Sequence, residues 1–292
     1  MHVSLLAWQR YRLFWWALGL TIASILLYAT QGPEQGQPAN GGTWQGYTLG
    51  TVGALLIVWL SLLGVRKRSY RSTMGSVQGW TSAHVYLGTA LLIIATLHAA
   101  AQFGLNVHTL AYVLMCVVVV SGFFGLYFYS HLPALLARNN AGRDSREWIQ
   151  ELSELDRQLL QDAKRADASV QLMVQSALEQ TRLGGSLRAL IGGVDKSTVQ
   201  VAQNDRAIAN AEMQTVLTRL AELIPATQRQ RETDTLNALL AGFGRRQTVL
   251  KVLRREARLR AWLKVWLYLH VPVTVALLGA LTVHIVSVFV YW

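Results

Sequence analysis

Four histidines in this sequence form two pairs with the same internal spacing. His84 and His98 lie fourteen residues apart in one apolar segment, and His270 and His284 lie fourteen residues apart in another. In an α-helix, fourteen residues rise about 21 Å and return to within about 40° of the same face. Each helix would therefore carry two imidazoles on one face, near opposite ends of a membrane-length segment. Imidazole is an axial ligand of haem iron, so two such helices side by side predict two haem sites.

Five apolar segments are long enough to position these histidines in a membrane. They cover about residues 13–30, 47–65, 80–104, 108–130 and 262–292, and a spanning helix needs roughly 20 residues. The chain has 292 residues, of which 52% are hydrophobic, and it is too apolar for an ordinary soluble domain. We predict an all-α fold. Transmembrane helices one to four occupy residues 1–131, a cytoplasmic helical insertion occupies 132–261, and a fifth transmembrane helix at 262–292 completes the bundle.

Lysine and arginine residues lie on one side of this predicted bundle. They precede the first segment, follow the second between Arg66 and Arg71, and otherwise fall between Arg138 and Lys264. By the positive-inside rule this side is cytoplasmic, which puts the N-terminus inside and Trp292 outside the inner cell membrane. The formal charge of +11 then reflects topology, and nucleic acid is not an expected partner.

This orientation assigns the ligands to two irons. His84 and His270 both begin their segments on the cytoplasmic side and are predicted to ligate an inner haem iron. His98 and His284 lie farther toward the outside and are predicted to ligate an outer one. Two axial imidazoles leave no open coordination position, so each haem is expected to relay single electrons. The alternative is a set of histidines hydrogen-bonded inside a bundle that holds no cofactor.

Small residues accompany the ligands on their helices. Gly88 and Ala95 share a face with the first histidine pair, and they are predicted to let a flat macrocycle approach the backbone. Close packing of two helices is the alternative explanation for both. Gly122 and Gly125 in the fourth segment would allow that helix to lie close between the two ligand helices.

Other reactive residues are given simpler interpretations. His108 and His131 bound the fourth segment and are interpreted as interfacial, with a role beside a haem edge as the alternative. A quinone is a further candidate ligand, for which Trp80, Ser82, Gln102 and His108 supply polar groups. Cys116 is the only cysteine and is interpreted as a small buried residue. One cysteine excludes a c-type haem attachment and a four-thiolate iron–sulfur site.

The insertion at 132–261 has the composition of a water-soluble domain. It holds 15 of the 16 acidic residues, and its apolar spacing is helical. The predicted helices cover 145–181, 196–223 and 232–241. The first two are expected to form a coiled-coil-like hairpin, which would serve equally as a partner surface or a homodimer contact. From Arg245 the pattern predicts one continuous helix into the fifth segment.

A basic run lies on that last helix. Its residues are Lys251, Arg254, Arg255, Arg258 and Arg260. The simpler interpretation is a stripe that faces solvent and lipid headgroups. The alternative is a docking site for an acidic soluble electron carrier, or a set of partners for haem propionates.

The two ligand helices resemble those of the membrane dihaem cytochromes b. This superfamily includes the cytochrome b561 group, the membrane domains of ferric reductases and NADPH oxidases, and the quinol-oxidising cytochrome b subunits. The resemblance covers His84–His98 and His270–His284 with their helices. It implies two b-type haems and a place in a membrane redox complex. Ferric reductases and NADPH oxidases continue into a flavin and nicotinamide domain, whereas this chain inserts helices before its fifth segment and ends outside.

The predicted function is that of a dihaem cytochrome subunit in a membrane oxidoreductase complex. It would relay electrons across the bilayer between a soluble or membrane redox partner and a quinone or outer-face acceptor. Because no glycine-rich dinucleotide fingerprint follows a strand pattern, a separate flavin or iron–sulfur protein is the expected partner. The alternative is a haem-free membrane scaffold or sensor whose cytoplasmic helices recruit partners.

Overall fold

The protein is mostly helical. The computed structural model describes residues 8, 10–31, 41–69, 75–203, 205–227 and 229–290, and 79% of these described residues are helical. The helices are α1 (Arg12–Ala29), α2 (Trp44–Arg68), α3 (Val77–Ala99), α4 (Val107–Asn139), α5 (Ser145–Ala163), α6 (Ala168–Glu179), α7 (Leu187–Gly192), α8 (Gln214–Leu223) and α9 (Gln230–Val290). The short strands β1 (Thr198–Val199) and β2 (Ile208–Ala209) pair antiparallel. The predicted helical class is confirmed apart from this strand pair.

Some of the sequence predictions concern residues outside this described part. Arg71 and Trp292, which contributed to the predicted orientation, lie outside the described residues, as do residues 32–40 of the first connection.

Within the described part of the chain, five helices are long and apolar enough to cross a membrane. They are α1, α2, α3, α4 and α9. Large apolar side chains are exposed on their surfaces, among them Trp16 at 69%, Leu55 at 66% and Phe124 at 62%. Exposed apolar surface of this extent is unfavourable in water, and the lipid of a membrane would bury it. The chain therefore has the character of a membrane protein.

The chain divides into two compact units. The first comprises Met1–Ser130 and Trp266–Trp292, and the second comprises His131–Val265. Both α4 and α9 contribute residues to each unit, and the helical run predicted from Arg245 lies within α9.

A central apolar layer joins four helices of the first unit. Leu60 of α2, Leu91 of α3, Met115 of α4 and Leu277 of α9 are buried in one cluster. Leu91 and Leu277 each lie seven residues from both histidines of their own helix. Seven residues rise about 10 Å, so this layer falls midway between the two histidine levels. A second cluster packs α1 against α2 and α3 through Ala17, Leu49, Ala90 and Ile94.

Glycines bring α4 close to α9, as the sequence predicts. The indole of Trp266 lies against Gly125, and its Nε1 donates to the carbonyl of Ser121 at 2.7 Å. A Cβ on Gly122 would lie 3.8 Å from Cε1 of His270. The side chains of the second ligand helix therefore press directly on the backbone of α4.

The second unit packs around an apolar core of its own. Its most buried members include Leu159 of α5, Val174 of α6, Leu220 of α8 and Phe243 of α9. The predicted single helix over 145–181 is wrong at 164–167, where a turn separates α5 from α6. This turn places the apolar face of α6 against the shared core. The free energy gained by burying that face exceeds what the turn residues would gain by continuing one helix.

The predicted helix over 196–223 is wrong up to residue 213, where the chain forms β1, β2 and a single 3₁₀ turn. Polar side chains there bind the backbone locally: Asp195 accepts from the amide of Ser197 at 2.9 Å, and the Asn210 side chain accepts from the amide of Val216 at 3.4 Å. Such bonds compete with helical ones. The second unit is therefore a set of short helices around one core, and the expected coiled-coil hairpin is not formed at those bounds.

Two buried carboxylates predict that the second unit is sensitive to acid. Burial raises the pKa of Asp195 and of Glu256, but hydrogen bonds and arginine partners outweigh it and lower both below their usual 3.8 and 4.5. Their contribution to stability is therefore present above the usual pKa values and lost as the pH falls below 4.5 and then 3.8. We expect pepsin to cleave the second unit increasingly through this range.

Three single variants test whether these two carboxylates cause the acid sensitivity. Asp195→Asn and Glu256→Gln should each flatten the pH dependence of cleavage, because the depressed carboxylate is gone. Asp205→Asn changes an exposed carboxylate and should leave the profile unchanged. Equal profiles for all three variants would show that other groups set the acid sensitivity.

Candidate metal centre

Both histidines of α3 are held by backbone carbonyls of α2. Nδ1 of His84 lies 3.1 Å from the carbonyl oxygen of Leu60, and Nδ1 of His98 lies 2.8 Å from that of Gly46. A carbonyl only accepts, so Nδ1 carries the proton in each ring and Nε2 keeps its lone pair. The two acceptors are fourteen residues apart, like the two histidines. Helix α2, antiparallel to α3, therefore orients both rings.

The first histidine of α9 is oriented in the same way by α4. Nδ1 of His270 lies 2.8 Å from Oγ of Ser121, and that hydroxyl lies 2.8 Å from the carbonyl of Val118. Because the hydroxyl donates its single proton to the carbonyl, it accepts from Nδ1 of His270. The lone pair of Nε2 is again left for a ligand.

The remaining histidine of α9 has a different partner. Nδ1 of His284 contacts Nδ1 of His108, the second residue of α4. The ring centres of these two histidines are 4.4 Å apart, and their planes are nearly perpendicular. His108, which was interpreted as interfacial with a role beside a haem edge as the alternative, is exposed at the start of α4 and lies beside this predicted ligand.

The rings of the predicted outer pair lie near each other. The ring centres of His98 and His284 are 6.1 Å apart, and their planes are inclined by 77°. A metal–imidazole nitrogen bond is about 2 Å, and a ring centre lies about 1 Å behind its nitrogen, so two opposed axial imidazoles have centres about 6 Å apart. The separation of His98 and His284 fits two ligands of one iron.

The predicted inner pair lies in the same unit, near a lysine. His84 contacts the carbonyl of Leu60 on α2, and Lys67 lies seven residues farther along the same helix. The ammonium group of Lys67 also lies 5.0 Å from the ring centre of Tyr129. Lys67, with Arg66 and Arg68 in the same last turn of α2, therefore lies toward the end of that helix that contacts His84.

A cavity of about 650 Å³ surrounds the outer pair. This volume lies within the range of small-molecule and cofactor sites, which are mostly apolar with a few polar groups. Its apolar lining includes Leu49, Ile57, Leu91, Met115, Leu277 and Leu281. Its polar lining includes Gln102, Asn106, His108 and Thr109. The volume and the lining of the cavity would suit a large apolar cofactor, and His98 and His284 could hold it.

The two small residues predicted beside a macrocycle lie in different places. Ala95 lines the cavity. A Cβ on Gly88 would lie 4.0 Å from Cδ1 of Leu60, so Gly88 faces α2. Gly50 was missed in the sequence analysis, yet a Cβ there would lie 2.6 Å from Cε1 of His98 and 3.1 Å from its Nε2. The signal was available in the regular spacing of Gly46, Gly50 and Gly53 along α2.

The polar residues proposed for a quinone are also separated. Gln102 and His108 line the outer cavity. The indoles of Trp80 and Trp59 stack with ring centres 4.9 Å apart. Ser82 is buried, and its hydroxyl has no hydrogen-bond partner among the described residues. These groups do not form one quinone site.

Two further residues that the sequence analysis interpreted are His131 and Cys116. His131 is exposed in the second unit. Cys116, interpreted as a small buried residue, is half-buried and packs against the central apolar layer.

Most of the basic run in the second unit is engaged in ion pairs. Its pairs are Lys251 with Glu212 at 3.2 Å, Arg254 with Asp195 at 2.7 Å and Arg260 with Glu256 at 2.6 Å. The guanidinium of Arg258 lies against Gly193, whose φ is +64°. Three of the five cations therefore have carboxylate partners within the unit, although the side chains of Lys251 and Arg260 are 53% and 60% exposed. Docking of an acidic carrier stays a prediction.

Among the described residues, no group of three or more histidine, cysteine, aspartate or glutamate side chains is arranged to hold a metal ion. Axial ligation of a haem iron requires only two imidazoles. Comparisons with protein-family models, curated proteins and solved structures found no significant match to this chain.

Proposed function

We propose that this chain is a dihaem b-type cytochrome subunit of a membrane oxidoreductase complex. It relays electrons across the bilayer between a soluble or membrane redox partner and a quinone or outer-face acceptor. One observation carries the proposal: His98 and His284 lie with ring centres 6.1 Å apart beside an apolar cavity of about 650 Å³. An imidazole whose Nδ1 donates is fixed in the tautomer that ligates a metal through Nε2.

The proposal assigns four histidines to the two cofactors. His98 and His284 would hold the outer haem iron, and His84 with His270 the inner one. When bound, haem supplies a one-electron redox couple at its iron. The chain contributes the orientation of the imidazoles, and Lys67 supplies a positive charge for inner propionates. The layer of Leu91 and Leu277 keeps water out of the space between the two sites.

The proposed topology uses the five apolar helices as spans. The basic ends of α1 and α2 face the cytoplasm, and His98 and His284 lie toward the outside of the inner cell membrane. The second unit is then cytoplasmic. Its expected partner is a soluble flavin or iron–sulfur protein of the same complex.

The proposal predicts two haems per chain. We expect a reduced-minus-oxidised spectrum of b type in purified protein, with pyridine-haem quantification giving two haems. His84→Ala and His98→Ala should each lower this ratio to one, because an iron that loses an axial imidazole is weakly held. His131→Ala removes an exposed histidine and should retain two.

One haem measurement would contradict the proposed function. A folded chain without stoichiometric haem, in membranes prepared with ample haem supply, would overturn the proposal. It would favour the haem-free scaffold or sensor, and unchanged function in the histidine variants would support that alternative.

A further inference from the structure

The partner of His284 distinguishes it from the other three ligand candidates. His84 and His98 donate to main-chain carbonyls, and His270 donates to a hydroxyl. His284 instead contacts the ring nitrogen of His108. The outer site therefore has one imidazole whose hydrogen-bond acceptor is a second imidazole.

The chemistry of this contact fixes the proton on each ring. If Nε2 of His284 holds an iron, Nδ1 of His284 carries the proton and donates it. Nδ1 of His108 must then be the acceptor, so the proton of the neutral His108 ring is on its Nε2. His108 acts on the iron through His284 and does not ligate it.

The backbone around His108 is built to hold it in place. The Oδ1 atom of Asn106 accepts from the amide of Thr109 at 2.9 Å, which caps the beginning of α4. Oγ1 of Thr109 accepts from the amide of Gly104 at 3.1 Å. His108 lies between these two polar residues and lines the same cavity as His98 and His284. Its position is therefore set by the cap as well as by its contact with His284.

We infer that His108 is a positioning residue that orients His284 and sets the redox potential of the outer haem. This inference rests on the proposed function. A hydrogen-bond acceptor on Nδ1 makes an axial imidazole more basic. A more basic ligand favours the ferric state, so His108 lowers the outer potential. The inner haem has the weaker hydroxyl acceptor of Ser121 at the equivalent position on His270.

Potentiometric titration of the full-length protein tests this role, with pyridine-haem quantification of each preparation. His108→Leu keeps a side chain of similar size but removes the hydrogen-bond acceptor. It should raise one of the two haem potentials and leave the other unchanged. His108→Gln supplies an amide oxygen as acceptor and should restore much of the original value. Ser121→Ala is the matched variant for the inner site, and it should move the other potential.

The outcomes separate this inference from the proposed function. Two haems with unchanged potentials in His108→Leu would overturn the role of His108 and leave the cytochrome intact. Loss of one haem in both His108 variants would also overturn it, because His108 would then be a ligand itself. Absence of haem from the unaltered chain would overturn the proposed function.

Discussion

Gly50→Ala is expected to lose the outer haem, so that the haem-to-chain ratio falls from two to one. A Cβ at position 50 would lie 2.6 Å from Cε1 and 2.9 Å from Nδ1 of His98, closer than side chains tolerate. The ring cannot move away without losing its 2.8 Å hydrogen bond to the carbonyl of Gly46. Pyridine-haem quantification and a reduced-minus-oxidised spectrum would show the loss.

Helix stability does not account for this expected loss. Alanine in place of glycine strengthens a helix interior by about 0.5–1 kcal/mol, so α2 should be more stable in the variant. Gly64→Ala makes the same exchange on the same helix, where an added Cβ meets nothing within 4 Å, and it should keep both haems. Two haems in the Gly50→Ala protein would show that His98 is not held against α2 in the working protein.

Arg246→Met is expected to destabilise the second unit by about 3 kcal/mol, near the lower end for a broken buried ion pair. Arg246 is 1% exposed. Its guanidinium donates to Asp156 at 2.6 Å and to the hydroxyl of Thr181 at 2.9 Å. Removing the arginine leaves a partly buried carboxylate without its charge partner. Pulse proteolysis of the full chain in detergent and urea would measure the change in the free energy of unfolding.

An exposed pair on α5, the helix that carries Asp156, provides the control. Arg157 lies 2.7 Å from Glu154, with side chains 67% and 48% exposed, and such pairs contribute about 0–1 kcal/mol. Arg157→Ala should therefore change stability little. Asp156→Ala combined with Arg246→Met should recover part of the loss, because no unpaired charge remains. A loss as small as that of Arg157→Ala would mean that Arg246 is not essential to the core.

The helical class and the long apolar helices could be predicted from the sequence because both depend on local patterns. Runs of apolar residues identify membrane-length helices directly. The fourteen-residue interval between histidines places two rings on one face by helix geometry alone. These features require no knowledge of which helices are neighbours.

The surroundings of the rings could not be predicted, because they depend on contacts between distant residues. The acceptor for His98 is the carbonyl of Gly46, 52 residues away, and that for His270 is Ser121, 149 residues away. His108 was interpreted as interfacial because it bounds the fourth segment, and that position gives no information about its contact with α9. Its neighbour His284 is 176 residues distant.

The helix bounds of the second unit were predicted less well, because they depend on contacts that the apolar spacing does not show. Apolar spacing identified helical residues in 145–181 but not the turn at 164–167, which depends on where α6 finds its core. In 196–213 the polar side chains of Asp195 and Asn210 bind the backbone locally, and this chemistry overrides helical periodicity. Their role becomes visible only when their partners are known.

The two carbonyls that hold His84 and His98 belong to the main chain of α2, so any residue at position 46 or 60 supplies the same acceptor. Substitutions at these positions can change the packing, but they cannot remove the hydrogen-bonding group itself. A change of length is different, because inserting or deleting one residue between positions 46 and 60 would rotate one carbonyl by about 100° relative to the other. The arrangement is therefore tolerant of side-chain variation and intolerant of insertions and deletions within this stretch of α2.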